Sequence, residues 1–445
     1  MSSAFTVDAA RGLPGPEWLA ARRVAAAERL AEVSWPTRAE EIWRYSRVDE
    51  LDLDRFRPLQ PTDPGLADGP APGGGPVAAE AGARAGLVVV HNGRVVRCEL
   101  DEALLAKGVL VDDLANRDDG VARAALGTCA DASPDAFTVL HDAFLAGGPV
   151  VHVPAGVVVE RPIIFVHWSE GDGLASFPHT LVVAGEGSEV TVLDRFSSPP
   201  GRGAHLVDAV VELVVGDGAH VKYLSVQEHG PGTWQVALQR AHVGRDATLR
   251  SSAVALGGDY ARLRSETLLE GQGAESDLLA VYFGDGAQML DFRTLQDHDA
   301  PSTTSDLLFK GAVEDDARSV YSGLIRLRPT AHKARAYQTN RNLVLTEGAG
   351  AESIPNLEIE ANDVICTHAS AVGPIDDDQL YYLGTRGIPP DEAERLIVLG
   401  FFDDVLDRLP IPALAGALRR TVVKKVEHRD AVARARAAGS GSDRG

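Results

Sequence analysis

The feature that most constrains this chain is a short glycine unit, Gly-x-(Gly or Asp)-(Ala or Ser), which recurs at Gly185, Gly216, Gly244 and Gly271. The intervals are 27 to 31 residues, and the sequence between consists of valine-rich runs such as TLVVAGEGSEVTVLD, VELVVGDGAHVKYL and AHVGRDATLRSSAVA. A turn that returns at a near-constant interval, with strand signals on both sides and few helix signals, marks a repeating β architecture. Propeller blades need a longer period, about 40 residues or more. A sandwich has no reason to repeat one turn so regularly. A β-helix does, because stacked coils place small residues at each corner and valines inside each coil. The pattern predicts a mainly β chain with a β-helix core over residues 149–375.

The flanks change period. Trp18, Leu19, Ala26, Leu30 and Val33 recur at helical spacing, and Thr37 with Glu40 would form a capping box before EEIWRYS, giving a helical region over 1–57. From Pro58 the chain fills with proline and glycine, and 58–85 is expected to be a disordered linker. Order returns as LVVVH-Asn-Gly-RVVRC, where Asn92-Gly93 signals a hairpin. A short helix is expected over Asp135–Ala146, started by Ser133 and Pro134 and ended by Gly147-Gly148, so that 86–148 leads into the core. After 375 the period is helical again, and three helices over 376–436 should cap the solenoid, with a disordered tail at 437–445.

Composition narrows the function. A formal net charge of −21 disfavours nucleic acid and anionic membranes as main partners. The three cysteines, Cys98, Cys129 and Cys366, are too scattered for a disulfide framework or a Cys-x-x-Cys metal site. The N-terminal MSSAFTVDAARGLPG lacks the basic end and apolar run of a signal peptide, and no stretch reaches the roughly 20 apolar residues of a membrane span. A soluble, cytoplasmic protein is expected.

No catalytic pattern stands out. Asp315-Asp316 and Asp376-Asp377-Asp378 fall at turns and a helix start rather than as paired carboxylates on one face. Neither a Gly-x-Ser-x-Gly elbow in a strand-to-helix context nor a phosphate loop is present, so this chain is expected to bind no nucleotide. His141-Asp142 would diverge on a helix, His298 would sit exposed in a turn-rich stretch, and Cys98 and Cys129 have no metal-type neighbours. The one concentrated pair is Cys366 and His368 in the last β run, two apart and therefore on one face of a strand. On spacing alone they are either a thiolate and imidazole for an iron–sulfur centre or zinc, or a packed cysteine beside a hydrogen-bonded histidine.

Long motifs separate these readings. SDLLFKG, ARSVYSGLIRLRPTAHKARAYQTNRNLVL, LEIEANDVICTHAS and DDDQLYYLGTRGI closely resemble the C-terminal half of the SufB/SufD family of iron–sulfur cluster assembly proteins. DAFTVLHDAFLAGGPVVHVPAGVVVERPI and FPHTLVVAGEGSEVTVLDRF look like the same family further upstream, as EEIWRYSRVDEL does at the N-terminus. The resemblance implies a right-handed parallel β-helix between helical regions, acting as a non-catalytic scaffold. It implies a heterodimer with SufB through the β-helix, and a SufC ATPase docked on the C-terminal helices. It also implies sulfur from a cysteine desulfurase and a SufE- or SufU-type carrier, a transient cluster shared with SufB, and a possible reduced flavin.

The motif that marks SufB members, Cys-Gly-Ala-His-Thr-x-Pro-Tyr, is replaced here by Ala349 to Asn356, with Ala349 at its cysteine and Glu352 at its histidine. The other branch carries Cys-Ser-His-Gly-Ala, matched here by Cys366-Thr367-His368-Ala369-Ser370. The resemblance therefore implies His368, and Cys366 beside it, as candidate cluster ligands at the SufB interface. The coils at Tyr337–Asn342 and Val364–His368 would supply the pairing surface. The alternatives are a β-helix carbohydrate-active enzyme, which the 6 % aromatic content disfavours, and a self-associating structural solenoid.

Overall fold

The computed structural model describes residues 4–60, 83–117, 120–130, 135–201 and 203–440. Its strands alternate between two facing sheets and wind a solenoid of about eight turns. The first sheet runs from Leu110–Asp113 and Pro149–Val153 through His205–Val215, Thr233–Val243 and Tyr260–Leu269 to Gly350–Ile359. The second runs from Gly86–His91 and Ile163–Trp168 through His220–Glu228 and Thr304–Val313 to Arg335–Val344 and Ile365–Gly373. Coil pairs with coil in parallel and in register, for instance Val211 beside Gln239 and Tyr223 beside Ser251.

The glycine unit forms one corner of this stack. The amides of Gly185, Gly216 and Gly244 donate to Val153, Ala184 and Val215 of the coil before, at 2.8, 2.9 and 2.9 Å. A Cβ on Gly216 would come within 2.8 Å of the Ala184 carbonyl oxygen, so close approach selects that glycine. The third position selects a left-handed residue: Gly187, Gly218, Asp246 and Gly273 have φ of 64°, 64°, 54° and 74°. The fourth, Ser188, Ala219, Ala247 or Ala274, is fully buried. Asp315 has the same backbone turn (φ 55°), and its carboxylate accepts from the Gly286 amide at 3.0 Å. It is a corner residue.

Inside the solenoid, Val151, Val182, Leu213 and Val243 face Val190, Val221 and Leu249 in an apolar half. The other half is polar. There Asp194 accepts from Thr180 and Tyr223, both at 2.8 Å, and Gln239 bridges Ser251 and Ser265.

At the N-terminal end, Asn92 and Gly93 (φ 48° and 84°) turn a hairpin that pairs Gly86–His91 with Arg94–Leu100. The helices Glu17–Leu30 and Ala136–Phe144 pack together against the outer face of the first sheet. The second is capped by Asp135 and Thr138 in a reciprocal box. The residues expected to start it, Ser133 and Pro134, lie outside the described residues. Within the first helix Arg23 is buried and donates to the carbonyls of Leu13, Pro14 and Leu145, and burial lowers its pKa to about 10.

The segment after Thr37 differs from expectation. Its amide does bond Glu40 Oε1 at 3.0 Å, but the chain then forms only short 3₁₀ turns at Glu41–Trp43, Val48–Glu50 and Leu53–Arg55. The reason is tertiary. Arg262 donates to the Ile42 carbonyl at 2.7 Å and Arg293 to the Arg44 carbonyl at 2.6 Å, taking acceptors an α-helix would use. Arg262 also lies 3.9 Å over the Trp43 ring. Both arginines pair with buried Asp291, at 2.6 and 2.7 Å. Arg57–Pro58, at the start of the expected linker, forms a short strand against Leu174–Ala175; residues 61–82 lie outside the described residues.

Of the C-terminal helices Asp377–Thr385, Pro390–Leu406 and Pro412–Ser440, the last two lie along the second sheet. Val398, Phe402, Val405, Leu414 and Val422 pack along the outer face of the second sheet, against Leu224, Val226, Val281 and Phe283. Lys310 reaches from the sheet to Asp404 at 2.8 Å and to the Phe401 carbonyl at 2.9 Å. The last helix carries its backbone through 437–440 of the expected tail, and 441–445 lie outside the described residues.

Burial of imidazoles generates a pH prediction. Burial, first of all, lowers the pKa of His141 and His229 to about 3 and of His205 and His298 to about 4. The unfolded chain takes up these protons near pH 6.5, so the stability they contribute is present above 6.5 and lost as pH falls toward 4. Burial also raises the carboxyls of Asp208, which goes far up, and of Asp113 and Asp277; these work in the opposite sense, but the four depressed imidazoles outnumber them. The denaturant midpoint should fall steadily from pH 7 to pH 4.5, and a flat profile would contradict these burials.

Candidate functional site

The solenoid ends on an open coil. Ile365–Gly373 pairs on one side with Arg335–Val344, in the register Ala336–Cys366, Tyr337–Thr367, Gln338–His368, Thr339–Ala369 and Asn340–Ser370. Ala336, Gln338 and Asn340 are buried in the interior. Parallel register places partners on the same face, so Cys366, His368 and Ser370 continue that interior column, and Thr367 and Ala369 face outward. No further described coil covers them, and His368 is exposed although it points along the interior. Ser370 donates to Ser353 Oγ at 2.7 Å and links the two sheets at the mouth.

The two predicted donors thus share one face and differ in setting. Cys366 is half-buried against Ala334, Ala336, Ile325 and Leu327, and burial raises its thiol pKa. His368 is accessible. Among the described residues no group of three or more His, Cys, Asp or Glu could hold a metal ion. Cys366 and His368 alone fall short of the four protein ligands typical of an iron–sulfur cluster. Exposed apolar residues ring the mouth: Ile359, Ile365, Val372 and Tyr337. Ala349 is buried against Val313 and Ala317.

The other candidates are structural. His141 donates from Nδ1 to the Asp208 carbonyl at 2.9 Å and lies 3.0 Å from His179 Nδ1, while Asp142 pairs with Arg22 instead. His298 is buried, not exposed, with Thr303 at 2.8 Å and Ser305 at 2.9 Å on its two ring nitrogens. Burial pushes the Cys98 thiol up to about 11 and the Cys129 thiol up to about 12. Asp376 caps the helix Asp377–Thr385 by accepting from the Asp378 amide. Sequence reading missed Glu212, which accepts from the amides of Gly127, Cys129 and Ala130 at 2.7, 2.9 and 3.0 Å. Burial opposes its charge, but His179 and these amides hold its carboxyl at about 2. A lone carboxylate inside the run VVELVV was the available signal.

Two family models match the chain between residues 82 and 401. The SUF system FeS cluster assembly SufBD core domain matches residues 167–401, and the SufBD protein N-terminal region matches 82–165. An iron–sulfur cluster assembly SufBD family protein of Mycobacterium tuberculosis is 36 % identical over 283 residues, covering 62 % of this chain and 68 % of the relative. The iron–sulfur cluster assembly protein SufD of Bacillus subtilis is 34 % identical over 292 residues, 65 % of this chain and 67 % of the relative. A SufBD family protein of Staphylococcus saprophyticus is 26 % identical over 330 residues, 74 % and 71 %.

The raised thiol pKa values predict slow chemistry in the isolated chain. Cys98 and Cys129 should alkylate with iodoacetamide at pH 8 at least about tenfold more slowly than a free thiol, and Cys366 also more slowly than a free thiol, because the thiolate is the reactive form. Peptide mapping over time checks this. Rapid labelling of Cys366 would mean that its thiol is not held in the coil.

Proposed function

This chain belongs to the SufBD family of SUF-system iron–sulfur cluster assembly proteins, and we propose that it serves there as a non-catalytic scaffold subunit of the SufD type, in the cytoplasm. The observation that carries this reading is the open coil, which presents Cys366 and His368 on the interior face of an unpaired strand edge. An unpaired edge with apolar neighbours is a surface that another strand or coil can cover. Two donors on one side of it call for further donors on the other. A SufB-type partner would meet the solenoid here, through Tyr337–Asn342 and Val364–His368, and share a transient cluster as cargo. No described helix is long and apolar enough to cross a membrane.

The C-terminal helices would dock the SufC-type ATPase. Their inner faces are taken by the second sheet, whereas Tyr381, Tyr382 and Leu396 remain exposed. Nucleotide hydrolysis would then belong to that partner, with sulfur arriving through a desulfurase and its carrier.

Three measurements test the reading. With the SufB-type partner co-expressed, Ala369→Glu should weaken pairing by about tenfold or more, since it sets an unpaired charge at the contact. His368→Ala should leave complex yield unchanged and lower iron and sulfide per complex by at least about half, one donor being lost. Unchanged affinity and unchanged iron would remove both the interface and the ligand. The paired variant Tyr381→Ala and Tyr382→Ala should weaken ATPase capture in a pull-down while the melting temperature stays put, because both rings are exposed. Deleting all residues after Asp376 is a poorer test, as it would strip the cover from Leu224, Val226 and Val281.

A further inference from the structure

We propose that Gln338 is a positioning residue for His368, its side-chain oxygen accepting the N–H of the imidazole nitrogen that faces away from the cluster. This rests on the reading of His368 as a cluster donor. Gln338 lies one coil inside His368, at the same register and on the same interior face. Neighbouring strands are about 4.8 Å apart, so the two side chains are adjacent in one column. Gln338 is 1 % exposed. Its Nε2 approaches the Gly323 carbonyl at 3.5 Å, and its Oε1 has no hydrogen-bond partner among the described residues.

Its two neighbours along the strand are better provided for. Asn340 and Asn342, on the same strand and face, are satisfied: Asn340 donates to Tyr282 at 3.0 Å and Asn342 to Asn340 at 2.8 Å. Gly323 makes the room. A Cβ there would come within 2.6 Å of Gln338 Nε2 and 2.8 Å of Thr294 Oγ1, and would collide with the Tyr321 hydroxyl. The amide is therefore seated from one side with an acceptor left over, directly under the open coil. A buried acceptor without a donor destabilises a fold and calls for a reason. A ligating imidazole supplies one: it offers one nitrogen to the metal and carries a proton on the other, and an acceptor for that proton fixes both tautomer and ring orientation.

The test separates positioning from packing because the two predict opposite orders. Gln338→Met keeps the volume and removes the acceptor; Gln338→Glu keeps an acceptor oxygen but introduces a buried carboxyl. Each variant is co-expressed as full chain with the SufB-type partner and loaded anaerobically with ferrous iron and sulfide. Melting temperature, cluster loss to a ferrous chelator, and the histidine nitrogen coupling in pulsed EPR of the reduced cluster are then measured. Positioning requires that Gln338→Met melt at or above the wild-type temperature, lose its cluster about tenfold faster, and show an altered nitrogen coupling. Gln338→Glu should melt lower and hold its cluster near the wild-type rate. Wild-type retention and coupling in Gln338→Met would overturn the proposal, as would cluster loss that merely follows melting temperature across both variants. His368→Ala, run alongside, tells the two failures apart. If it loses its cluster while Gln338→Met does not, only the positioning role falls; if it also retains the cluster, the ligand reading falls and takes this one with it.

Discussion

Everything in this molecule depends on the coil-to-coil backbone ladder being parallel and in register. That ladder turns each side-chain position into a column running along the solenoid, so what one coil places inside, the next must fit. The glycine corner is its most demanding point. At Gly216 the chain comes within contact of the preceding carbonyl and then turns left-handed, which is why the repeating unit keeps glycine at its first position and glycine or aspartate at its third.

The columns also explain how polar groups survive inside. Carboxylates such as Asp194 and Asp291 are held by two or three donors each, from a neighbouring coil, the facing sheet or the same strand. The outer faces are equally committed. One carries the N-terminal helices and the arginine-tethered segment around Trp43, and the other carries the C-terminal helices. What remains uncommitted is the last coil, and there the candidate donors sit.

Much of this was legible from residues alone. The glycine interval specified stacked coils, Asn92-Gly93 specified its hairpin, and the two-residue spacing of Cys366 and His368 put them on one face. Other parts were not, for definite reasons. EEIWRYS carries a helix start, yet Arg262 and Arg293, more than 200 residues away, take its carbonyls. The C-terminal helices were legible as helices, but their resting place depends on the apolar outer face of the second sheet, which no local period reveals. His298 sits in a polar stretch and is nonetheless buried, because its two hydroxyl partners come from the next turn. The unmet acceptor of Gln338 is invisible to any pattern, since it is a property of what surrounds the amide.

A solenoid is a one-dimensional array, and its cohesion is a sum over neighbouring coils. Interior coils have two neighbours, whereas Ile365–Gly373 has one described neighbour and side chains open to water. Thermal opening must therefore start at that end and fade inward, so backbone amides there exchange fastest and those of Tyr260–Leu269 among the slowest. The strand that carries Cys366 and His368 is the softest link of the array, and anything that covers it gains a neighbour's worth of cohesion for the whole chain.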